Sequence, residues 1–163
     1  MVTRNVRHWP DPILTQRCSR VARHDQDLPA LIQDLFDTMY AENGRGLAAP
    51  QIGELARVFV VDVTWKDGPA DPRAFINPEI IEAEGAGVLE EQCLSIPGIA
   101  MPVTRPETIT LRWSDAADAT SIATFDGILA RCIQHELDHL NGTVIFDHQT
   151  PADRAILEAA YAA

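Results

Sequence analysis

No stretch of this chain approaches the apolar length that a membrane-spanning helix needs. The opening residues, "MVTRNVRHWP", lack the charged-then-apolar pattern of a secretory leader. Cations are few and dispersed: 13 Lys and Arg stand against 24 Asp and Glu, for a net charge of −11. Phosphate binding needs clustered cations, so no nucleic-acid partner and no membrane are expected. The acidic excess serves solubility and self-repulsion. Cysteine is scarce and odd in number, Cys18, Cys93 and Cys132. That count fits a reducing cytoplasm, where a cysteine is a ligand, a nucleophile or core filler rather than half a bridge. Internal repeats, low-complexity tracts and linkers are missing too. One domain over residues 1–163 is expected, long enough to bury a core without staples.

Residues 1–26 carry turn signals and little periodicity. In "LPALIQDLFDTMY", Leu28, Leu31, Ile32, Leu35, Phe36, Met39 and Tyr40 recur at helical spacing. This predicts an amphipathic helix with Asp27 as N-cap and Gly44 near its end. "RVFVVDV" (57–63) reads as a buried strand, and "AFINPEIIEAE" (74–84) as strand pieces interrupted by Pro78. "ETITLRW" (107–113) alternates with period two, and "TSIATFDG" (120–127) can pair with it. From about Asp126 the helical period returns, and Gly142 is placed to end it. "DRAILEAAYAA" predicts a short final helix. Helices at both ends of a strand-rich middle predict an α+β fold, with antiparallel or mixed sheets around the second long helix.

That helix carries "CIQHELDH", an HExxH pattern. At 3.6 residues per turn His135 and His139 lie one above the other, about 6 Å apart along the axis, and two such imidazoles can share a metal ion. Glu136 projects about 100° around from His135, beside the ion, where a general base would sit. Asp138 falls on the other side of His135 and is expected to be solvated.

A catalytic site needs a third ligand. Cys132 lies on the same stripe, but an ion midway between the histidines would be about 7 Å further along the axis. It reads better as a small core residue. The longer HExxHxxGxxH pattern fails because Ile145 fills the last histidine's slot. Glu158 stands at a spacing known from metalloproteases, yet close to the chain's end. His148 follows a turn, as surface histidines commonly do. Cys93, in "GVLEEQCLSIPG", sits where a strand pattern gives way to a turn. A thiolate there, with two imidazoles, would suit iron or zinc with one position open. A buried strand cysteine is an equal reading on spacing alone.

With "GRGLAAPQ" (44–51), "EQCLS" (91–95) and "HELDH" (135–139) in this order, the chain resembles the peptide deformylase family. The likeness extends to "DPILTQRCSRV", "DLFDTMYAENG", "FINPEI" and "DGILARCIQHELDHLNGTVIFD". It implies one divalent metal ion, ferrous iron with zinc or nickel as substitutes, bound by Cys93, His135 and His139. It implies Glu136 as proton shuttle, and Gln51 with the backbone N–H of Leu94 as polarisers of the scissile carbonyl. The implied activity is removal of the formyl group from formyl-methionyl peptides of nascent chains. Gly44 and Gly46 would let the first motif pass close to an extended substrate.

Arg45, Gln92 and Arg131 stand where the resemblance leads one to expect an aliphatic residue, a glycine and an apolar residue. Ala100 replaces a substrate-contacting arginine. With Gly46, the residues Arg45, Gln92 and Arg131 are the expected substrate contacts. The arginines open an alternative: an anionic N-formyl or short N-acyl substrate. "PADRAILEAAYAA" is short and not basic, so docking to ribosomal RNA through this tail is not expected.

Overall fold

The computed structural model describes residues 2–22, 25–115 and 117–163. Of the irregular 1–26 segment, residues 1, 23 and 24 therefore lie outside the description. The first helix, α1, spans Leu28–Ala41 and buries Leu35, Thr38 and Met39. Asp27 holds the N-cap position but makes no side-chain capping bond. The left-handed turn after the helix is taken by Asn43, at φ 61°, and not by Gly44.

Five strands form one antiparallel sheet: β1 (Gly46–Ala48), β2 (Val58–Val61), β3 (Arg73–Glu84), β6 (Thr108–Ser114) and β7 (Thr120–Asp126), in the order β1-β2-β3-β6-β7. β4 (Gly87–Cys93) and β5 (Ile96–Arg105) make a separate two-stranded hairpin. α2 spans Gly127–Leu140, and α3 spans Pro151–Ala162. The fold is α+β, as helices at both ends of a strand-rich middle predict.

The unbroken apolar run of β2 has a simple cause. Val58 and Val60 pack with Leu35 and Met39 of α1, while Phe59 and Val61 pack with Ile133 and Leu137 of α2. Successive side chains point to opposite faces, and both faces are covered. A third apolar cluster joins Ile96, Met101 and Val103 of the hairpin to Leu14, Val144–Phe146 and α3.

Two expectations change. Pro78 does not break the 74–84 segment into pieces: β3 is one strand, with a register irregularity between Ile76 and Glu79. Asn77 there adopts φ 49°, so proline's missing N–H falls at a bulge between the pairing with β2 and that with β6. β5 was not foreseen at all, because Pro97, Gly98 and Pro102 look like loop residues. A hairpin with only one partner per strand tolerates prolines whose nitrogen side faces outward. Gly142 ends α2 in the left-handed region, and a Cβ there would meet the Thr15 carbonyl oxygen at 2.6 Å.

Candidate metal centre and catalytic cleft

Each part of the fold delivers one piece of the site. β4 ends in Cys93, and the tight turn Leu94–Ser95 follows it. α2 delivers His135 and His139, whose rings lie 5.2 Å apart between centroids. The 3-10 turn after β1 (Ala49–Ile52) delivers Gln51. The ligand atoms of Cys93, His135 and His139 all lie within 4.8 Å of one another. Cys93 Sγ stands 3.4 Å from His139 Nε2. Cys93 and His139 are buried, and Cys93, His135 and Glu136 line a cleft of about 780 Å³.

A thiolate with two imidazoles fits a divalent first-row cation that keeps one position open. A neighbouring polar atom agrees. Glu136 Oε1, beside the cluster, is buried with no protein partner among the described residues. Buried polar atoms are seldom left so unless they face a polar group such as bound water or an ion.

The other ligands that the sequence offered are elsewhere. Glu158 pairs with Arg154 on α3, at 3.0 Å. His148 is not a lone surface histidine, for its Nε2 lies 2.8 Å from Asp138 Oδ2. Asp138 is not simply solvated either, because β5 brings Arg105 to it: Nη1 donates to Oδ2 at 2.9 Å. Cys132 packs against the main core, as expected, and also reaches the cleft wall, its thiol 3.5 Å from the Arg45 carbonyl oxygen.

Charge around the cluster is strongly coupled. Burial pushes the Cys93 thiol up, but His139 and His135 beside it outweigh that and hold it well below the usual thiol range. Burial lowers the His135 imidazole, yet Glu136, Cys93 and Glu91 together raise it well above its ordinary value. Glu136 is raised, chiefly by burial, with His135 and His139 opposing.

Two residues of the site went unforeseen. Glu91 Oε1 bonds His135 Nδ1 at 2.9 Å, leaving Nε2 of that ring for the cluster. Arg105 grips Glu91 with two bonds, Nε to Oε2 at 2.7 Å and Nη2 to Oε1 at 2.9 Å. A signal for Glu91 existed: a ligating imidazole usually sets its second nitrogen against a carboxylate, and "EEQC" puts one two residues before the ligand cysteine. Nothing in the sequence points to Arg105.

Gln51 is buried, and the Ala48 N–H donates to its Oε1 at 2.9 Å. That bond turns its Nε2 toward Ser95 Oγ, at 3.0 Å, and Cys93 Sγ, at 3.9 Å. Leu94, Arg45, Gly46, Gln92 and Arg131 all line the same cleft. Gly46 approaches so closely that an added Cβ would sit 2.6 Å from Glu136 Oε2 and 2.9 Å from Cys132 Sγ. Gln92, exposed, is at the bulge between Glu91 and Cys93.

Both arginines are engaged. Arg45, 43% exposed at the rim, pairs with Asp67 at 3.1 Å. Arg131, only 14% exposed, donates to Glu91 Oε2 at 2.7 Å, to the Val103 carbonyl at 3.0 Å and to the Gly87 carbonyl at 2.8 Å. Neither stands as an unpaired cation awaiting an anionic substrate.

A family model described as polypeptide deformylase matches residues 3–155. The chain belongs to the peptide deformylase family. That makes it a hydrolase. A peptide deformylase of Clostridium botulinum (strain Alaska E43 / Type E3) is 44% identical over 150 residues, covering 92% of this chain and 99% of the relative. The crystal structure of a peptide deformylase from Legionella pneumophila matches with a TM-score of 0.92 and 37% identity, covering 99% of this chain and 94% of that one. A peptide deformylase from Synechococcus elongatus, solved in complex with actinonin, matches with a TM-score of 0.90 and 36% identity, over 96% of this chain and 86% of that one. Among the described residues no helix is long and apolar enough to cross a membrane.

Proposed function

We propose that this deformylase removes the formyl group from formyl-methionyl peptides of newly made proteins in the cytoplasm, releasing formate and a free amine. The observation that carries the reading is the cluster itself: three ligand atoms within 4.8 Å of one another, with Glu136 Oε1, buried and without a partner among the described residues, beside them. Cys93, His135 and His139 would hold one divalent ion, ferrous iron first and zinc or nickel as substitutes. When bound, it supplies Lewis acidity that lowers the pKa of water from 15.7 towards roughly 7.

Glu136 takes the proton of the attacking water and hands it to the leaving amine nitrogen as the amide C–N bond breaks. Gln51 Nε2 and the Leu94 N–H would receive the charge developing on the formyl oxygen. A donor aimed in advance is worth about 10²–10³ in rate, and the Ala48 bond fixes the Gln51 amide in advance. Arg45, Gly46, Gln92 and Arg131 border the path of the peptide. The pairing of both arginines leaves the formyl-methionyl reading ahead of an anionic substrate.

Formate release from formyl-Met-Ala-Ser by iron-loaded protein tests the activity, and its absence would sink the proposal. Replacing Glu136 with Gln keeps the shape and removes the base. Turnover should fall by about 10²–10⁴, the usual contribution of general acid–base catalysis. A loss below tenfold would show that the proton route is wrong.

A further inference from the structure

The two halves of the ligand set belong to different packing units. α2 packs chiefly on β1, β2 and β7, and its apolar face is buried in the core of the five-stranded sheet. The hairpin that carries Cys93 packs instead with Leu14, Val144–Phe146 and α3. Side-chain bridges therefore fix how far Cys93 stands from the histidines. Arg105 makes one, from β5 to Asp138 and Glu91.

Glu91 makes a second, from β4 to His135, and Arg131 makes a third, from the helix side. It lies one turn before His135 on α2, and its guanidinium reaches both strands of the hairpin. Nη2 bonds the Gly87 carbonyl and Nη1 bonds Glu91, both on β4, and Nη1 also bonds the Val103 carbonyl on β5. Gly87 and Cys93 are six residues apart along β4, about 20 Å at the rise of an extended strand. One planar fork thus holds the far end of the lever whose near end is the ligand thiol. A guanidinium can serve three acceptors in fixed directions, as an ammonium cannot.

We propose that Arg131 is a positioning residue for the ligand cluster: it clamps the β4–β5 hairpin onto α2 and so sets the spacing of Cys93 from His135 and His139. The proposal rests on reading that cluster as a metal site. Its own contribution is the preorganisation of three ligands that the backbone alone leaves on two separate cores.

The test compares parent, Arg131→Met, Arg131→Lys and, as a surface control, Arg112→Met, whose exposed partner is Glu79. Zinc affinity is measured by chelator competition, and the rate of iodoacetamide addition to Cys93 in metal-free protein by peptide mass. Circular dichroism and urea titration establish that each variant is folded. Arg131→Met should bind zinc about 10–100-fold more weakly, the usual effect of removing a partner behind the ligands. Its Cys93, buried in the parent, should react faster as the loosened hairpin exposes the thiol. Arg131→Lys should recover part of the affinity, and Arg112→Met should match the parent. Zinc binding by Arg131→Met within threefold of the parent overturns the clamp, as does a raised KM with zinc affinity retained, which would make Arg131 a substrate contact. If Arg131→Met does not fold, parent-like zinc affinity in Arg131→Lys overturns it equally. A parent that binds no zinc or iron would sink the metal reading, and the clamp with it.

Discussion

Arg105→Met removes the most buried cation of the site while keeping a long apolar stem. Arg105 is 4% exposed and Glu91 6% exposed, and the pair is joined by two short bonds. Breaking a buried ion pair from one side typically costs about 3–5 kcal/mol, because the remaining charge is stranded. Here Glu91 keeps Arg131 and His135, and Asp138 keeps His148. The low end, about 3 kcal/mol, is therefore expected, a fall in melting temperature of about 6–12 °C for a chain of this size. The pH dependence has a definite sign. Burial pushes the Glu91 carboxyl up, but His135 and Arg105 outweigh it and hold it far below the ordinary range. Its contribution is thus complete above the unfolded carboxyl pKa of about 4.3 and fades as pH falls through the folded value. The gap between parent and variant should be widest near neutral pH and narrow below about pH 4. Urea titrations of metal-free protein at several pH values measure it. A loss below about 1 kcal/mol at pH 7, or a gap that widens in acid, would refute the reasoning.

Gly46→Ala puts a methyl group 2.6 Å from Glu136 Oε2. The carboxylate can swing away, so folding should survive. Turnover should fall about 100-fold, the scale of a roughly 1 Å misplacement of a reacting group. Formate release within twofold of the parent would refute that placement. Gly142→Ala meets backbone instead, the Thr15 carbonyl at 2.6 Å, at a positive φ that side chains resist. Left-handed strain of about 1–2 kcal/mol adds to overpacking of a similar size, so about 3 kcal/mol should be lost in a urea titration. A change under 1 kcal/mol would show that the turn yields.

The long helices were legible because their apolar faces repeat over three or more turns. β6 and β7 were legible from alternation. Of the hairpin only the strand pattern ending at Cys93 was legible: the turn, Leu94–Ser95, carries no glycine or asparagine, and β5 holds two prolines. The same hairpin hides what sequence spacing cannot report. His135, Glu136 and His139 declare themselves by helical geometry within five residues. Cys93 needed the family's motif order to separate it from an ordinary strand cysteine. Glu91 and Arg105 act on α2 from 44 and 33 residues away, at distances only the folded chain defines. The reading of Asp138 as solvated failed for that reason: the helix wheel shows where a side chain points, not which strand passes in front of it.

The separation of the hairpin from the five-stranded sheet bears on how the site would come apart. Small two-stranded units open more readily than central sheets, as cooperative segments with their own free energy of opening. When this one opens, Cys93 leaves while His135 and His139 stay on an intact helix. Loss of the ligand set is then a sub-global event. Amides of β4 and β5 would exchange ahead of those of β2 and α2, and the enzyme's working lifetime would be governed by that local opening rather than by unfolding of the whole chain.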